Sequence, residues 1–167
     1  MKSSRFVTQI VSDLHLGSEI LRIPPRAPNL IVAGDISFNA DVLFKFFKRC
    51  SQDFDQVYFV PGNHEYYSKR GLTTDNFVQN VDRDLEYFFS SFFDNVVFLQ
   101  KKTVEVSSGV RLMGCTLWTS VPKDFQFQTK VSDFSRIPCF TPKNRNSCYL
   151  NHRNWIRDNL RFGLRIF

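Results

Sequence analysis

Short apolar runs without polar alternation recur along the first part of the chain. The three clearest cover residues 6–12, 29–33 and 57–60. Runs of this length that lack polar alternation are typical of strands that are buried on both faces of a parallel sheet. Residues 96–99 form a fourth candidate strand, and the runs 103–106 and 110–113 predict a hairpin around Ser107-Ser108-Gly109. Residues 115–119 are a further extended candidate that leads toward the carboxyl edge of the sheet.

Helical periodicity fills the spaces between these runs. Residues 41–50 are apolar at 42, 43, 46 and 47, which places these side chains on one helix face, and Asn39 is the candidate cap. The same period extends over residues 75–89, with Thr74 as the candidate cap, and over residues 150–160. Residues 120–148 contain three prolines and predict an irregular segment. The alternation of strands and helices predicts an α/β fold.

Metal-capable side chains follow three of the predicted strands. Asp13 and His15 come after the first run, Asp35 after the second, and Asn63 and His64 after the third, each close to a glycine. The carboxyl ends of parallel strands lie at one edge of a sheet, where ligands bind in open α/β folds. Two carboxylates, two imidazoles and one amide are therefore predicted to converge on a single site.

These side chains suit two divalent cations, with Mn, Fe or Zn as candidates. An extended chain would point Asp13 and His15 the same way, and Asp35 could give one carboxylate oxygen to each cation. Asn63 offers a neutral oxygen to the second cation, whereas His64 is better placed to face the substrate. Such a pair of cations suits attack on a phosphate ester. Two cations about 3.5–4 Å apart lower the pKa of a water that bridges them, and the resulting hydroxide attacks the phosphorus atom of the ester in line. His64 then stabilises the developing charge or protonates the leaving oxygen.

Two further polar residues lie close to these patterns or share their chemistry. Glu65 has two interpretations of equal weight, as a partner that orients an imidazole and as a solvent-facing side chain. His152 falls in the basic C-terminal helix, away from any strand end, which predicts a surface residue. Neither residue is therefore included in the predicted site.

The three motifs resemble those of the calcineurin-like metallophosphoesterase superfamily. That family's pattern is D-x-H, then G-D, then G-N-H-[DE], and each motif has its counterpart in the same order here. The resemblance, to a small single-domain member, implies that Asp13 and His15 bind the first metal and that Asp35 bridges both. It also implies that Asn63 binds the second metal and that His64 is the catalytic histidine. The implied fold has four layers, in which two β-sheets are flanked by helices.

Two later motifs of that family, a strand ending in histidine and a Gly-His-x-His, have no counterpart in these 167 residues. We therefore expect residues 1–167 to form one phosphoesterase domain that represents the N-terminal portion only, truncated at its C-terminus. Asp35 and Asn63 alone would leave the second cation under-coordinated. A sheet without a neighbouring strand would expose an apolar edge. The expected consequences are poor folding or aggregation, and weak or absent phosphoesterase activity.

Positive charge is concentrated in the last quarter of the chain. The net charge is +6, and residues 123–167 contain nine basic and three acidic side chains, whereas residues 1–122 are balanced. A basic segment can bind nucleic acid or form a solvated face. Two alternatives to the enzyme therefore stay open: a non-catalytic scaffold that binds a partner through an exposed edge, and a nucleic-acid-binding module. A phosphate-ester substrate is the favoured partner, and the sequence does not indicate the oligomeric state.

Composition narrows the remaining possibilities. The 19 phenylalanines cluster at helical spacing, which indicates core stripes rather than a base-stacking surface. The four cysteines form no C-x-x-C pair and are expected to be unpaired thiols, with a redox role for Cys139 and Cys148 as the alternative. The sequence shows no signal peptide and no apolar run long enough to span a bilayer. The expected location is cytoplasmic, without a membrane partner.

Overall fold

A parallel sheet of four strands lies at the centre of the computed structural model, which describes residues 6–19, 21–68, 77–120, 131–138 and 141–160. The strands are adjacent in chain order: β1 (Thr8–Val11), β2 (Asn29–Ala33), β3 (Gln56–Val60) and β4 (Val96–Phe98). The four strand predictions are confirmed, and the first run contributes a shorter strand than the apolar pattern indicates. Parallel pairing brings the carboxyl ends of β1, β2 and β3 to one edge, which positions the three motifs.

One face of this sheet is covered by α1 (Ala40–Asp53) and α2 (Phe77–Phe92). Between the helices and the sheet lie four fully buried rings that we call the phenylalanine core: Phe46, Phe47, Phe59 and Phe89. Asn39 caps α1 as predicted, because its side chain accepts from the backbone N–H groups of Asp41 and Val42. The predicted start of the second helix at residues 74–76 lies outside the described residues. The interpretation of the phenylalanines as core residues is confirmed.

The opposite face of the sheet is incompletely covered. In-register residues share a face, and on this one Ile10 is 64% exposed, whereas Tyr58, two strands away in the same row, is buried. The predicted hairpin, β5 (Lys102–Ser107) and β6 (Val110–Gly114), is confirmed and flanks this face. A cleft of about 540 Å³ opens here, lined by Ile31, Val60 and Met113 among others. The expectation of strands buried on both faces is therefore wrong for β1.

The C-terminal part is more regular than predicted. A short helix α3 (Asp133–Arg136) is followed by the long helix α4 (Pro142–Leu160), so the segment predicted as irregular is helical from Pro142 onward. Thr141 accepts a hydrogen bond from the Asn144 backbone N–H, and proline is favoured at the first helical position. This Thr-Pro start signal was missed because the first turns of α4 have no apolar period. Within the described part of the chain, residues 115–119 form no strand.

His152 is buried, which contradicts its predicted place on the surface. Its side chain is 4% exposed, and its Nδ1 donates to the backbone carbonyl of Thr116. The prediction was wrong because α4 packs against the segment after β6, a contact between residues that are distant in sequence. None of the helices in the described ranges is both long and apolar enough to cross a membrane.

The described cysteines are free thiols in at least partly buried positions. Burial raises the pKa of Cys50 to about 12 and that of Cys115 to about 11, and Cys148 is also buried. Thiols with raised pKa values are poor nucleophiles at neutral pH. Cys139, the other member of the candidate redox pair, lies outside the described residues.

Candidate metal centre

The loops after β1 and β2 are joined by backbone hydrogen bonds that continue past the end of the sheet. The N–H groups of Asp13 and His15 donate to the carbonyls of Gly34 and Asp35, at 3.1 and 2.9 Å. Asp13, His15 and Asp35 adopt left-handed backbone conformations, with φ of 54°, 46° and 57°. The expected extended chain at Asp13 and His15 is therefore wrong. Non-glycine residues in this region cost free energy and are concentrated at functional sites.

Two glycines let the loop after β2 and the loop after β3 approach each other. A Cβ atom on Gly34, whose φ is +83°, would lie 2.7 Å from the Gly62 Cα atom. A Cβ atom on Gly62 would lie 2.1 Å from a carboxylate oxygen of Asp35. The glycines of the G-D and G-N-H motifs are therefore required by the contact between these two loops.

Glu65 has neither of the two roles open from the sequence. Its carboxylate is buried and accepts four backbone N–H groups: from Gly62 at 2.6 Å, Asp35 at 3.0 Å, Ile36 at 2.7 Å and Ser37 at 3.1 Å. Burial raises the pKa of Glu65, and the four hydrogen bonds oppose that shift. Glu65 therefore joins the loop after β2 to the loop after β3 and fixes the backbone of Asp35.

Three ligand side chains meet where these loops join. One ligand atom from each of His15, Asp35 and His64 lies within 4.8 Å of the other two. The Nδ1 atoms of His15 and His64 are 3.2 Å apart, and Asp35 Oδ1 accepts the backbone N–H of His64 at 3.0 Å. Burial lowers the pKa of His64, which favours the neutral imidazole that can bind a metal, although Asp35 opposes the shift.

Two nitrogens and a carboxylate oxygen are the donors that Mn, Fe and Zn accept in proteins, so the trio fits a divalent cation. Asp13 follows β1 at the same edge of the sheet and is exposed. It is not part of the cluster that His15, Asp35 and His64 form among the described residues. Asn63 is half-buried beside His64, and its side-chain N–H groups donate to Tyr67 Oη and Asp133 Oδ1. The structure therefore brings His15, Asp35 and His64 together, with Asn63 next to them in the chain.

Sequence reasoning missed two residues at this edge. The ring of Tyr67 lies 4.4 Å from that of His64, and its hydroxyl donates to Asp133 Oδ1 at 2.9 Å. Asp133 is 6% exposed and forms an ion pair with Arg145 at 3.7 Å. Tyr67 is close in sequence to the G-N-H motif and carries no chemical signature, whereas Asp133 is far along the chain in the segment predicted as irregular.

The cleft on the open face of the sheet reaches the site at one end. Asn63, Asp133 and Arg145 form part of its lining, together with apolar side chains of the sheet and hairpin. His15, Asp35 and His64 do not line it. The three clustered side chains therefore lie outside the cleft.

Comparisons with known proteins support the fold. No family model matches the sequence. The chain is 27% identical to an uncharacterized protein of Acanthamoeba polyphaga mimivirus, over 78% of this chain and 51% of that protein. It thus spans about half the length of the curated relative it matches. A phosphopantetheinyl hydrolase from Mycobacterium tuberculosis has a similar structure, with a TM-score of 0.63 and 18% sequence identity over 95% of this chain and 64% of that one. The chain therefore has an α/β fold that also occurs in a hydrolase.

Proposed function

We propose that the chain belongs to a metal-dependent hydrolase of phosphate esters, with a dinuclear centre and the four-layer arrangement of the metallophosphoesterases. The observation that supports this most directly is the convergence of His15, Asp35 and His64 at the carboxyl edge of the sheet. The three motifs that supply them were singled out from the sequence alone. The structural likeness to a hydrolase agrees with this assignment at the level of fold.

In this proposal Asp13, His15 and Asp35 hold the first cation, and Asp35 and Asn63 hold the second. Divalent cations at such a site would neutralise charge on the phosphate and activate water. The backbone N–H of His64 is bound by Asp35, and its ring is packed against Tyr67, so the imidazole is held in place. Nδ1 of His64 faces His15, which leaves Nε2 as the nitrogen that we assign to the leaving oxygen.

His64 has a second role open to it, because it also belongs to the group of clustered ligand atoms. A catalytic His64 predicts that His64→Asn reduces turnover while Mn²⁺ affinity stays near that of the wild type. A metal-binding His64 predicts that Mn²⁺ affinity falls in the same variant. Calorimetric titration beside a rate measurement separates these two roles.

Hydrolysis of an aryl phosphate in the presence of Mn²⁺ tests the proposed function. We expect a slow, Mn²⁺-dependent release of phenol, since the four proposed ligands supply only part of the coordination of two cations. Asp35→Asn should abolish it, whereas Asp41→Asn, an exposed carboxylate in the first turn of α1, should not change it. Release at the same rate in Asp35→Asn and wild type, or no release from wild type above the rate without metal, contradicts the proposal.

One observation favours a second candidate, a scaffold that binds a partner through the open face of the sheet. Ile10 and Leu117 are 64% and 72% exposed, and the adjoining cleft is largely apolar. Exposed apolar surface of this kind can serve protein association. A scaffold has no need of a metal, so a wild-type chain that binds a partner but no Mn²⁺ would favour it over the hydrolase.

A further inference from the structure

Asp133 lies in the short helix α3, seventy positions from Asn63 in the sequence, yet the two side chains are in contact. The Asn63 side-chain N–H donates to Asp133 Oδ1 at 2.7 Å. Asp133 is 6% exposed, and its ion pair with Arg145 anchors it to α4. A buried carboxylate in such a position is held firmly and can orient the group that it binds.

Tyr67 closes this contact into a triangle. Its hydroxyl accepts the Asn63 side-chain N–H at 3.0 Å and donates to Asp133 Oδ1 at 2.9 Å. The Tyr67 hydroxyl also lies 3.1 Å from Ser132 Oγ. The Asn63 amide nitrogen therefore has two acceptors within hydrogen-bond distance in the described structure.

The chemistry of the partners determines which way the amide faces. An ionised carboxylate accepts hydrogen bonds and donates none, so the atom of Asn63 next to Asp133 must be the nitrogen. The carbonyl oxygen is then directed elsewhere, and among the described residues it makes no hydrogen bond. That oxygen is the one atom of the side chain that can bind a cation, because an amide nitrogen carries no free electron pair for a metal.

We propose that Asp133 is a positioning residue that holds Asn63 with its carbonyl oxygen free for a divalent cation. This inference rests on the proposed function, since it assigns Asn63 to the metal centre. It extends the centre to α3 and α4, two helices that carry none of the sequence motifs. Partners that orient metal ligands in this way typically contribute a factor of about 10–100 to metal affinity.

Four chains test the proposal: wild type, Asp133→Asn, Asn63→Asp and the exchanged pair Asn63→Asp/Asp133→Asn. In Asp133→Asn, the new side chain can turn its own N–H₂ toward Asn63. The orientation of the Asn63 amide is then no longer fixed. Asn63→Asp places two carboxylates in contact. The exchanged pair restores one donor and one acceptor, with a carboxylate oxygen left for the cation. A further chain, Asn63→Ala, is titrated as a reference: the Mn²⁺-binding step that wild type shows and Asn63→Ala lacks is the one that depends on residue 63.

Calorimetric titration with Mn²⁺ should show that step weakened about 10–100-fold in Asp133→Asn, weakened in Asn63→Asp, and recovered in the exchanged pair. Asp158→Asn, a change at an exposed carboxylate of α4, should bind Mn²⁺ like the wild type. A purely structural role for Asp133 predicts that the exchanged pair is no better than either single variant, and that result overturns the proposal.

A measurement without metal tests the contact itself. In the nuclear magnetic resonance spectrum of the metal-free chain, the Asn63 side-chain N–H₂ protons should exchange slowly, and faster in Asp133→Asn. Equal exchange in the two chains overturns the positioning role. A wild type that binds no Mn²⁺ overturns this inference together with the proposed function. A wild type and an Asp133→Asn chain that bind Mn²⁺ equally overturn the inference alone.

Discussion

The phenylalanine core and the loop of residues 61–67 are stabilised in different ways. In the core, Phe47 lies 4.8 Å from Phe59 and 4.7 Å from Phe89 between ring centres, and apolar side chains of the sheet and helices surround them. The loop is held by buried hydrogen bonds instead. The hydroxyl of Tyr66 donates to Asp82 Oδ1 at 2.5 Å and accepts from Gln100 Nε2 at 2.6 Å.

The loop has further polar support on its other sides. Thr116 donates its hydroxyl to the Pro61 carbonyl at 2.7 Å, and the Thr116 carbonyl in turn accepts from His152. Apolar contact is not directional, whereas a hydrogen bond fixes the orientation of both partners. The difference shows that the core provides stability, and the loop uses directional contacts to place Asn63 and His64.

The largest loss of stability should follow truncation in the phenylalanine core. Phe89 is fully buried, so Phe89→Ala should lower the free energy of unfolding by about 3–5 kcal/mol, through lost burial and the cavity left behind. Tyr87, on the same helix and 74% exposed, provides the control, and Tyr87→Ala should change stability little. Urea unfolding measures both, and equal losses in the two variants would contradict the assignment of the core.

A polar change that hardly alters side-chain volume should be nearly as costly at the loop. Glu65→Gln replaces one of two carboxylate oxygens by an N–H₂ group that faces backbone N–H donors. We expect a loss of about 3 kcal/mol, since buried hydrogen bonds to a charged group are lost and donors are left unsatisfied. Glu105→Gln, at an exposed position of the hairpin, is the matched control. A Glu65→Gln chain as stable as the control would show that the hydrogen bonds of the Glu65 carboxylate to the two loops are dispensable.

A lower pH should weaken the stabilising contribution of His152, which contacts Thr116 behind the loop of residues 61–67. Burial lowers the pKa of His152 below its ordinary value of 6.5, and Lys101 acts in the same direction, whereas the contact with Thr116 and the charge of Asp82 oppose it. His152 therefore binds its proton more readily in the unfolded chain than in the folded chain as the pH falls below about 6.5. The contribution of neutral His152 is complete above that pH and is lost as the pH falls toward the folded pKa.

His152→Gln, which cannot titrate, should remove this part of the pH dependence. Urea unfolding of wild type and variant between pH 7.5 and about pH 5 makes the comparison. We expect the gap in stability between the two chains to shrink as the solution is acidified. A gap that stays constant across this range would mean that His152 does not change its protonation on unfolding.

The smallest effect should come from a polar contact outside the loop. Arg22 pairs with Asp53 at 3.2 Å near the end of α1, with the arginine side chain 69% exposed. Exposed pairs of this kind contribute little, so Arg22→Gln should change the free energy of unfolding by no more than about 0.5 kcal/mol. A loss as large as that of Glu65→Gln would remove the distinction between polar contacts at the loop and elsewhere.

The two regions also differ in how far the sequence predicts them. Apolar runs and helical spacing predict β2, β3 and α1, because burial of a face leaves a local period in the sequence. Asp35 and His64 were predicted to meet because motifs at the ends of parallel strands share one edge. The roles of Glu65 and His152 were not predicted, because their partners are backbone groups, which have no sequence signature. Asp133 was missed because its contact joins segments that no local pattern relates.

The central claim is that strand-end loops bring His15, Asp35 and His64 together at a divalent-metal site. Calorimetric titration of the wild-type chain with Mn²⁺ tests it most directly. The account predicts saturable binding that Asp35→Asn abolishes and Asp41→Asn leaves unchanged. Wild-type chain that is folded but binds no Mn²⁺, or that binds it equally well as Asp35→Asn, would contradict the claim.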